Sequence, residues 1–168
     1  MNEFYAPHWY AAYTKANHEK RVAKQLSERL IENFVPLYDS KRRWKDRCVV
    51  LQVPIFPGYV FVRMSVRDRL RVLQVPGVAR LVGFNGTPAT LPEAEIAALR
   101  AGLANGAKAE PHPFLVVGHR VCLKTGPFRG MAGVLLRHKG KCRVVVSIHL
   151  LKQAVAVEVI DTDLTSVP

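Results

Sequence analysis

The sequence predicts an α+β fold in two parts: a mixed strand-and-helix module up to about residue 105, and a small all-β module after about residue 113. Three observations carry this. Strand-like and helix-like apolar periods interleave through the first hundred residues. The stretch Gly106 to Pro113 (Gly-Ala-Lys-Ala-Glu-Pro-His-Pro) has no apolar period and two prolines, the composition of a linker. Five short strand patterns then crowd into roughly fifty residues, as in a small barrel.

The elements follow in order. Trp9 to Thr14 alternates as an aromatic strand, with Trp9, Ala11 and Tyr13 on one face. Asn17 is placed to cap a helix running to about Asn33, whose buried stripe is Val22, Leu26 and Leu30. Lys20, Arg21, Lys24 and Arg29 lie off that stripe. Phe34 to Tyr38 reads as an edge strand because Pro36 cannot donate to a central ladder. Lys41 to Arg47, with five basic residues in seven around Trp44, reads as an exposed hairpin tip, and Val49 to Val53 as its returning strand. Pro54 to Val62 is a turn feeding an apolar strand. Arg67 to Gln74 is a short helix, and Arg80 to Phe84 a short strand. Thr90, Pro92 and Glu93 supply a capping-box start for a helix ending near Leu103, before Asn105-Gly106.

The expected strands of the second part are Leu115–Val117, Arg120–Lys124, Gly133–His138, Cys142–Ile148 and Ala154–Ile160. Val144, Val145, Val146, Val155, Val157, Val159 and Ile160 are β-branched and lose rotamer freedom in a helix. Each costs up to ~0.7 kcal/mol there relative to Ala, so the segment is expected to be β rather than a helical hairpin.

Composition narrows the function. The 168 residues carry a net charge of +12, shared by both parts: 16 Lys and Arg against 9 Asp and Glu up to residue 105, and 9 against 4 beyond it. Such a balance points to a polyanion, an acidic surface or a membrane face as partner. No run of 18 apolar residues exists, and Met1 to Tyr10 lacks a basic start followed by an apolar stretch. A membrane partner and a signal peptide are therefore not expected, and the cytoplasm is. Cys48, Cys122 and Cys142 form no CxxC pair. His8, His18, His112, His119, His138 and His149 lack metal-ligand spacing. Gly126-Pro127-Phe128-Arg129-Gly130 lacks the Gly-Lys-Ser/Thr ending of a phosphate loop, and no GxSxG elbow occurs. No catalytic residue, metal or cofactor is assigned, and the chain is not expected to be an enzyme.

Four segments carry a resemblance. Pro54-Ile55-Phe56-Pro57-Gly58-Tyr59-Val60-Phe61-Val62 resembles the core motif of NusG N-terminal domains. Trp9-Tyr10 and Val75-Pro76-Gly77-Val78 stand where that family has them. Lys124-Thr125-Gly126-Pro127-Phe128-Arg129-Gly130-Met131-Ala132-Gly133-Val134 resembles the KOW motif of its C-terminal domain. The likeness spans about residues 7 to 165. The basic hairpin, the Glu110-Pro111-His112-Pro113 linker and the basic balance are closest to the specialised UpxY- and RfaH-type antiterminators. The resemblance implies an N-terminal polymerase-binding domain (1–105) with a four-stranded antiparallel sheet and flanking helices, a linker (106–113), and a five-stranded, SH3-like KOW β-barrel (114–168).

It also implies sites. An apolar depression that grips the clamp helices of the largest subunit of bacterial RNA polymerase corresponds to Tyr13, Phe56, Tyr59, Phe61, Phe84 and Ile96. Arg69 and Arg71 lie where relatives touch the second-largest subunit, although RfaH-type members have small polar residues there. Lys15, His18, Lys20, Arg21 and Lys24 occupy the region facing the non-template DNA strand; basic groups beside rings suit single strands. Lys41, Arg42 and Arg43 form a compact basic footprint suited to duplex DNA upstream. Phe128, Met131 and Ile148 match the KOW surface that recruits a small-subunit ribosomal protein or the termination factor Rho. The implied mechanism is a monomeric wedge that closes the polymerase cleft and shifts the population away from paused states.

Competing readings remain open at this point. Tyr13, Phe56, Tyr59, Phe61, Phe84, Ile96 and the three KOW residues also suit ordinary core packing, the basic helix a solvated face, and the hairpin a solubility role. A KOW-containing ribosomal or RNA-binding protein explains the charge and the barrel but not the Phe-Pro-Gly-Tyr module. A small nucleic-acid hydrolase lacks an identifiable metal or nucleophile site.

Overall fold

The structure is a computed structural model in which residues 5–106, 108–112, 120–138, 141–148, 150–159 and 164–166 are described. Its first elements are β1 (His8–Thr14), α1 (Glu19–Glu28), β2 (Glu32–Phe34), β3 (Leu37–Trp44), β4 (Arg47–Pro54) and β5 (Tyr59–Met64). A 3-10 turn (Val66–Asp68), α2 (Arg69–Leu73), β6 (Val78–Leu81), β7 (Gly83–Phe84), β8 (Thr87–Pro88) and α3 (Glu93–Ala104) follow. The remainder is β9 (Ala109–His112), β10 (Arg120–Leu123), β11 (Ala132–His138), β12 (Lys141–Ile148), β13 (Gln153–Val159) and β14 (Leu164–Ser166). Two compact units result: residues 1–35 with 57–96, and residues 36–56 with 97–168.

The first unit is built on an antiparallel sheet of order β2-β5-β1-β6. Alternation gives it two faces. Tyr10, Ala12, Val60, Val62 and Met64 pack beneath Val22 and Leu26 of α1 and Val72 of α2, with Ile31 and Val75 completing a buried cluster. Trp9, Ala11 and Tyr13 of β1 and Tyr59, Phe61 and Arg63 of β5 occupy the opposite face.

Several elements differ from the sequence expectation for identifiable reasons. Asn17 has a positive φ of 61°, so it turns the chain, and His18 takes the N-cap position without a side-chain cap bond. Helix α1 then stops early. The Leu30 N–H donates to the Ser27 carbonyl and the Ile31 N–H to the Leu26 carbonyl, a Schellman ending with Leu30 left-handed at φ 59°. Leu30, expected in the buried stripe, is 93% exposed, and Ile31 fills the core instead. Thr90 does not start α3, because Leu91 is extended and its N–H donates to the Trp9 carbonyl at 2.8 Å; the helix begins at Glu93. The hairpin tip is shorter than Lys41 to Arg47: β3 runs through Trp44, and Lys45-Asp46 make the turn. The β7–β8 hairpin lies within the stretch that the apolar pattern reads as a single strand and its exit, although Asn85-Gly86, both at positive φ, is a strong signal for a two-residue hairpin turn.

The second unit contains the β3–β4 ribbon and an antiparallel sheet of order β14-β10-β11-β12-β13-β9. The valine-rich segments 144–146 and 155–159 are strands, in register as Val144↔Val157 and Val146↔Val155. The expected closed five-stranded barrel is not what forms: among the described residues the sheet is open, ending at β14 and β9. Ala109–His112, read from sequence as linker, adds to β13 and occupies the edge that closure would use. β14 is only three residues long. The expected strand Leu115–Val117 lies outside the described residues.

Candidate functional site

The geometry at the joined ends of β1 and β5 begins at a buried carboxylate. Glu19, in the first turn of α1, is 5% exposed, and its Oε1 accepts a 2.7 Å hydrogen bond from the Gly58 N–H. The turn leading into β5 is thereby tied to α1. Gly58 has φ 86°, and a Cβ there would stand 3.2 Å from the Tyr13 ring. The left-handed backbone favours glycine, and a Cβ would press on the ring lying across it. The Thr14 N–H closes the arrangement on the Gly58 carbonyl at 2.8 Å.

This clamps the ends of β1 and β5 so that Tyr13 and Tyr59 are cross-strand partners. Their ring centroids are 5.4 Å apart at 57°, a favourable tilted geometry. Arg80, the β6 partner of Tyr13, places its guanidinium 5.1 Å from the Tyr13 ring centroid. Tyr59, Tyr13 and Arg80 thus form one row across three strands. Tyr13 is 38% exposed and Tyr59 half-buried. Phe84, on the β7–β8 hairpin, is 71% exposed. A row deeper, Phe61 stacks on Phe34 at 6.2 Å, and neither sequence pattern nor resemblance had singled out Phe34.

The other residues assigned to the apolar depression lie inside the protein. Phe61 and Ile96 are buried, as is Phe56 in the second unit. The structure therefore presents Tyr13, Tyr59 and Phe84 at the surface and places the other three in the packing.

The basic residues separate by element. Lys15, Lys20, Arg21 and Lys24 are exposed; Lys20 and Lys24 are one helical turn apart on α1. His18 is half-buried, and its Nδ1–H donates to the Ala16 carbonyl at 2.8 Å. Arg69 is exposed. Arg71 is engaged within the unit: its guanidinium donates to the Arg29 carbonyl at 2.8 Å, Arg29 returns a bond to the Arg71 carbonyl at 3.2 Å, and Asp68 lies 3.8 Å away. That pairing joins the end of α1 to α2. Lys41, Arg42 and Arg43 are exposed on β3 in the second unit.

Phe128, Met131 and Ile148 are each 3% exposed. The loop carrying Phe128 is closed by Gly130 N–H to Leu123 carbonyl, 2.7 Å, and by Leu123 N–H to Met131 carbonyl, 2.9 Å. Gly102 of α3 meets the Phe128 ring so closely that a Cβ at 102 would overlap it. Among the described residues no group of three or more His, Cys, Asp and Glu side chains gathers as a metal site, and no helix is long and apolar enough to cross a membrane.

Comparison with known proteins adds to this geometry. Residues 7–100 match the family model described as "Transcription termination factor nusG". The chain is similar to a protein of Helicobacter pylori (strain J99) named "Transcription termination/antitermination protein NusG", 30% identical over 71% of this chain and 75% of that one. It is 26% identical to the protein of the same name from Rickettsia bellii, over 89% and 85% of the two chains. Among solved structures, "Domain interaction in Thermotoga maritima NusG" superposes with a TM-score of 0.62 over 96% of this chain and 98% of that one; at 22% identity this likeness is one of fold. The relatives' names are those of transcription proteins, not of enzymes.

Proposed function

We propose, because the chain belongs to the NusG family, that it is a transcription elongation and antitermination factor. It binds the clamp helices of the largest subunit of bacterial RNA polymerase and suppresses pausing or termination. The observation that carries the reading is the Tyr59–Tyr13–Arg80 row, with Tyr13 exposed and Tyr59 half-buried at the end of a sheet that the Glu19–Gly58 hydrogen bond ties to α1. Rigid aromatics bury large areas at small entropic cost and dominate interface energies. In this reading Tyr13, Tyr59 and Phe84 make contact, while Phe56, Phe61 and Ile96 support from within. Arg69 reaches the second-largest subunit, and Arg71 acts by holding α2 against α1.

Lys15, His18, Lys20, Arg21 and Lys24 face the non-template strand, and Lys41, Arg42 and Arg43 also contact DNA. Residues 1–105 form the polymerase-binding domain and 114–168 the KOW domain, joined by 106–113. Through Phe128, Met131 and Ile148 the KOW domain recruits a small-subunit ribosomal protein or Rho. Since these side chains are buried, recruitment requires Phe128 to leave its notch at Gly102. The basic ribbon and the linker support a specialised UpxY/RfaH-type role. The factor works as a cytoplasmic monomer, and its action is a population shift rather than bond chemistry.

The test is retention of core polymerase by the immobilised full-length chain, followed by a pausing assay on a defined template. Retention with shortened pauses is expected. Co-purification with ribosomes in place of polymerase would favour a ribosomal RNA-binding role.

A further inference from the structure

We propose that the β3–β4 ribbon is a duplex-DNA reading element that lies along the major groove with its Lys41 and Arg43 face toward the base edges. This rests on the reading of Lys41, Arg42 and Arg43 as duplex-DNA contacts, and adds the groove and the residues that face it.

The ribbon is a sheet of its own, with eight residues per strand in unbroken register from Leu37↔Pro54 to Trp44↔Arg47. Every residue from Lys41 to Cys48 is exposed, so the distal half is solvated on both faces. Trp44 and Val50 are each 55% exposed. The four rungs from Lys41↔Val50 to Trp44↔Arg47 project about 13 Å at ~3.4 Å per residue.

Register sorts the side chains, because directly opposed residues share a face. One face carries Lys41, Arg43, Cys48 and Val50; the other carries Arg42, Trp44, Arg47 and Val49. Lys45 and Asp46 form the turn. Five cations and one anion thus surround a projection two strands wide.

Those dimensions match one groove. The major groove of B-DNA, ~12 Å wide and ~8.5 Å deep, admits a two-stranded ribbon, whereas the minor groove at ~6 Å does not. The major groove of duplex RNA is deep and too narrow for side-chain readout. Lys41 and Arg43 are suited to the O6 and N7 acceptors of guanine, and Val50, opposite Lys41, to a thymine methyl. Arg42 and Arg47, on the other face, and Lys45, in the turn, fall to the flanking phosphates through their long side chains.

The experiment is fluorescence anisotropy of the full-length protein on a labelled DNA duplex of mixed sequence. The same sequence as a single strand and as an RNA duplex is run in parallel over a salt series. Methyl green, a major-groove ligand, should displace the protein, and netropsin, a minor-groove ligand, should not. Lys41→Ala with Arg43→Ala should weaken duplex binding about tenfold or more. Arg42→Ala with Arg47→Ala should flatten the log–log salt slope by about 0.9 per lost contact. Tyr13→Ala should leave duplex affinity unchanged, which separates this proposal from the polymerase contact. Displacement by netropsin alone, equal affinity for duplex RNA, or duplex binding unaltered in the ribbon variants would each overturn it. Loss of single-strand binding on neutralising α1, with duplex binding retained, supports a duplex site separate from α1.

Discussion

Glu19 is an acidic residue in a basic helix, yet it is nearly inaccessible to solvent, and the Gly58 amide is its partner. Removing the carboxylate leaves a buried N–H without an acceptor, at a cost of about 1–3 kcal/mol. Glu19→Ala should therefore lower stability by that amount in urea titration and loosen the Tyr13–Tyr59 row. A shift below ~0.5 kcal/mol would mean that the bond contributes nothing net. Leu30 offers the opposite case. It is exposed, left-handed and closes α1 where glycine is preferred. Leu30→Gly should stabilise by about 0.5–1 kcal/mol, and a loss of stability would show that this side chain is held by a contact. Burial pushes the Tyr10 hydroxyl above its ordinary value of 10.0. Since the folded state favours the protonated form, stability should hold below pH 10 and fall as pH rises further. None of these roles is legible in the sequence: Glu19 looks like a solvated helix residue, and Leu30 fits the four-residue stripe until the chain turns. Both depend on contacts or backbone angles that periodicity does not encode.

At the scale of elements, most of the fold was readable where one apolar period runs without interruption. β1, β5, β12 and β13 all carry such periods, and each forms within a few residues of its expected span, whereas α1 ends about five residues early. The failures sit where a hydrogen bond to a distant strand overrides a local signal. Thr90 is a good cap in isolation, but Leu91 pairs with Trp9. The segment before the second sheet has linker composition, but its backbone finds a free edge on β13. The notch between α3 and Phe128 yields a further prediction. Gly102→Val should destabilise by overpacking, by about 1–3 kcal/mol. Phe128→Ala vacates the space that the new side chain would enter. The two substitutions should therefore be non-additive, with a coupling of more than ~1 kcal/mol in a double-mutant cycle. Additive effects would contradict the contact.

For the whole molecule, exposed basic side chains gather on α1 in one unit (Lys20, Arg21, Lys24) and on the β3–β4 ribbon in the other (Lys41, Arg42, Arg43, Lys45, Arg47), and these make up part of the +12 charge. Of the six aromatic and apolar residues that the resemblance implies for the depression, Tyr13 and Phe84 are exposed, Tyr59 is half-buried, and Phe56, Phe61 and Ile96 are buried. A strand pattern shows which residues share a face and leaves open which are covered. That is why Tyr13 and Phe61 looked equivalent and are not. Phe61→Ala should cost about 3–5 kcal/mol of stability as a core truncation and so reports on the fold rather than on binding. The direct measurement is the affinity of the full-length chain for core RNA polymerase, with Tyr13→Ala, Tyr59→Ala and Phe84→Ala compared with wild type and folding verified by circular dichroism. Loss of the Tyr13 or Tyr59 ring should weaken binding by about 2 kcal/mol, roughly thirtyfold. Folded variants, including the Tyr13/Tyr59 double substitution, that bind polymerase as tightly as wild type would contradict the account.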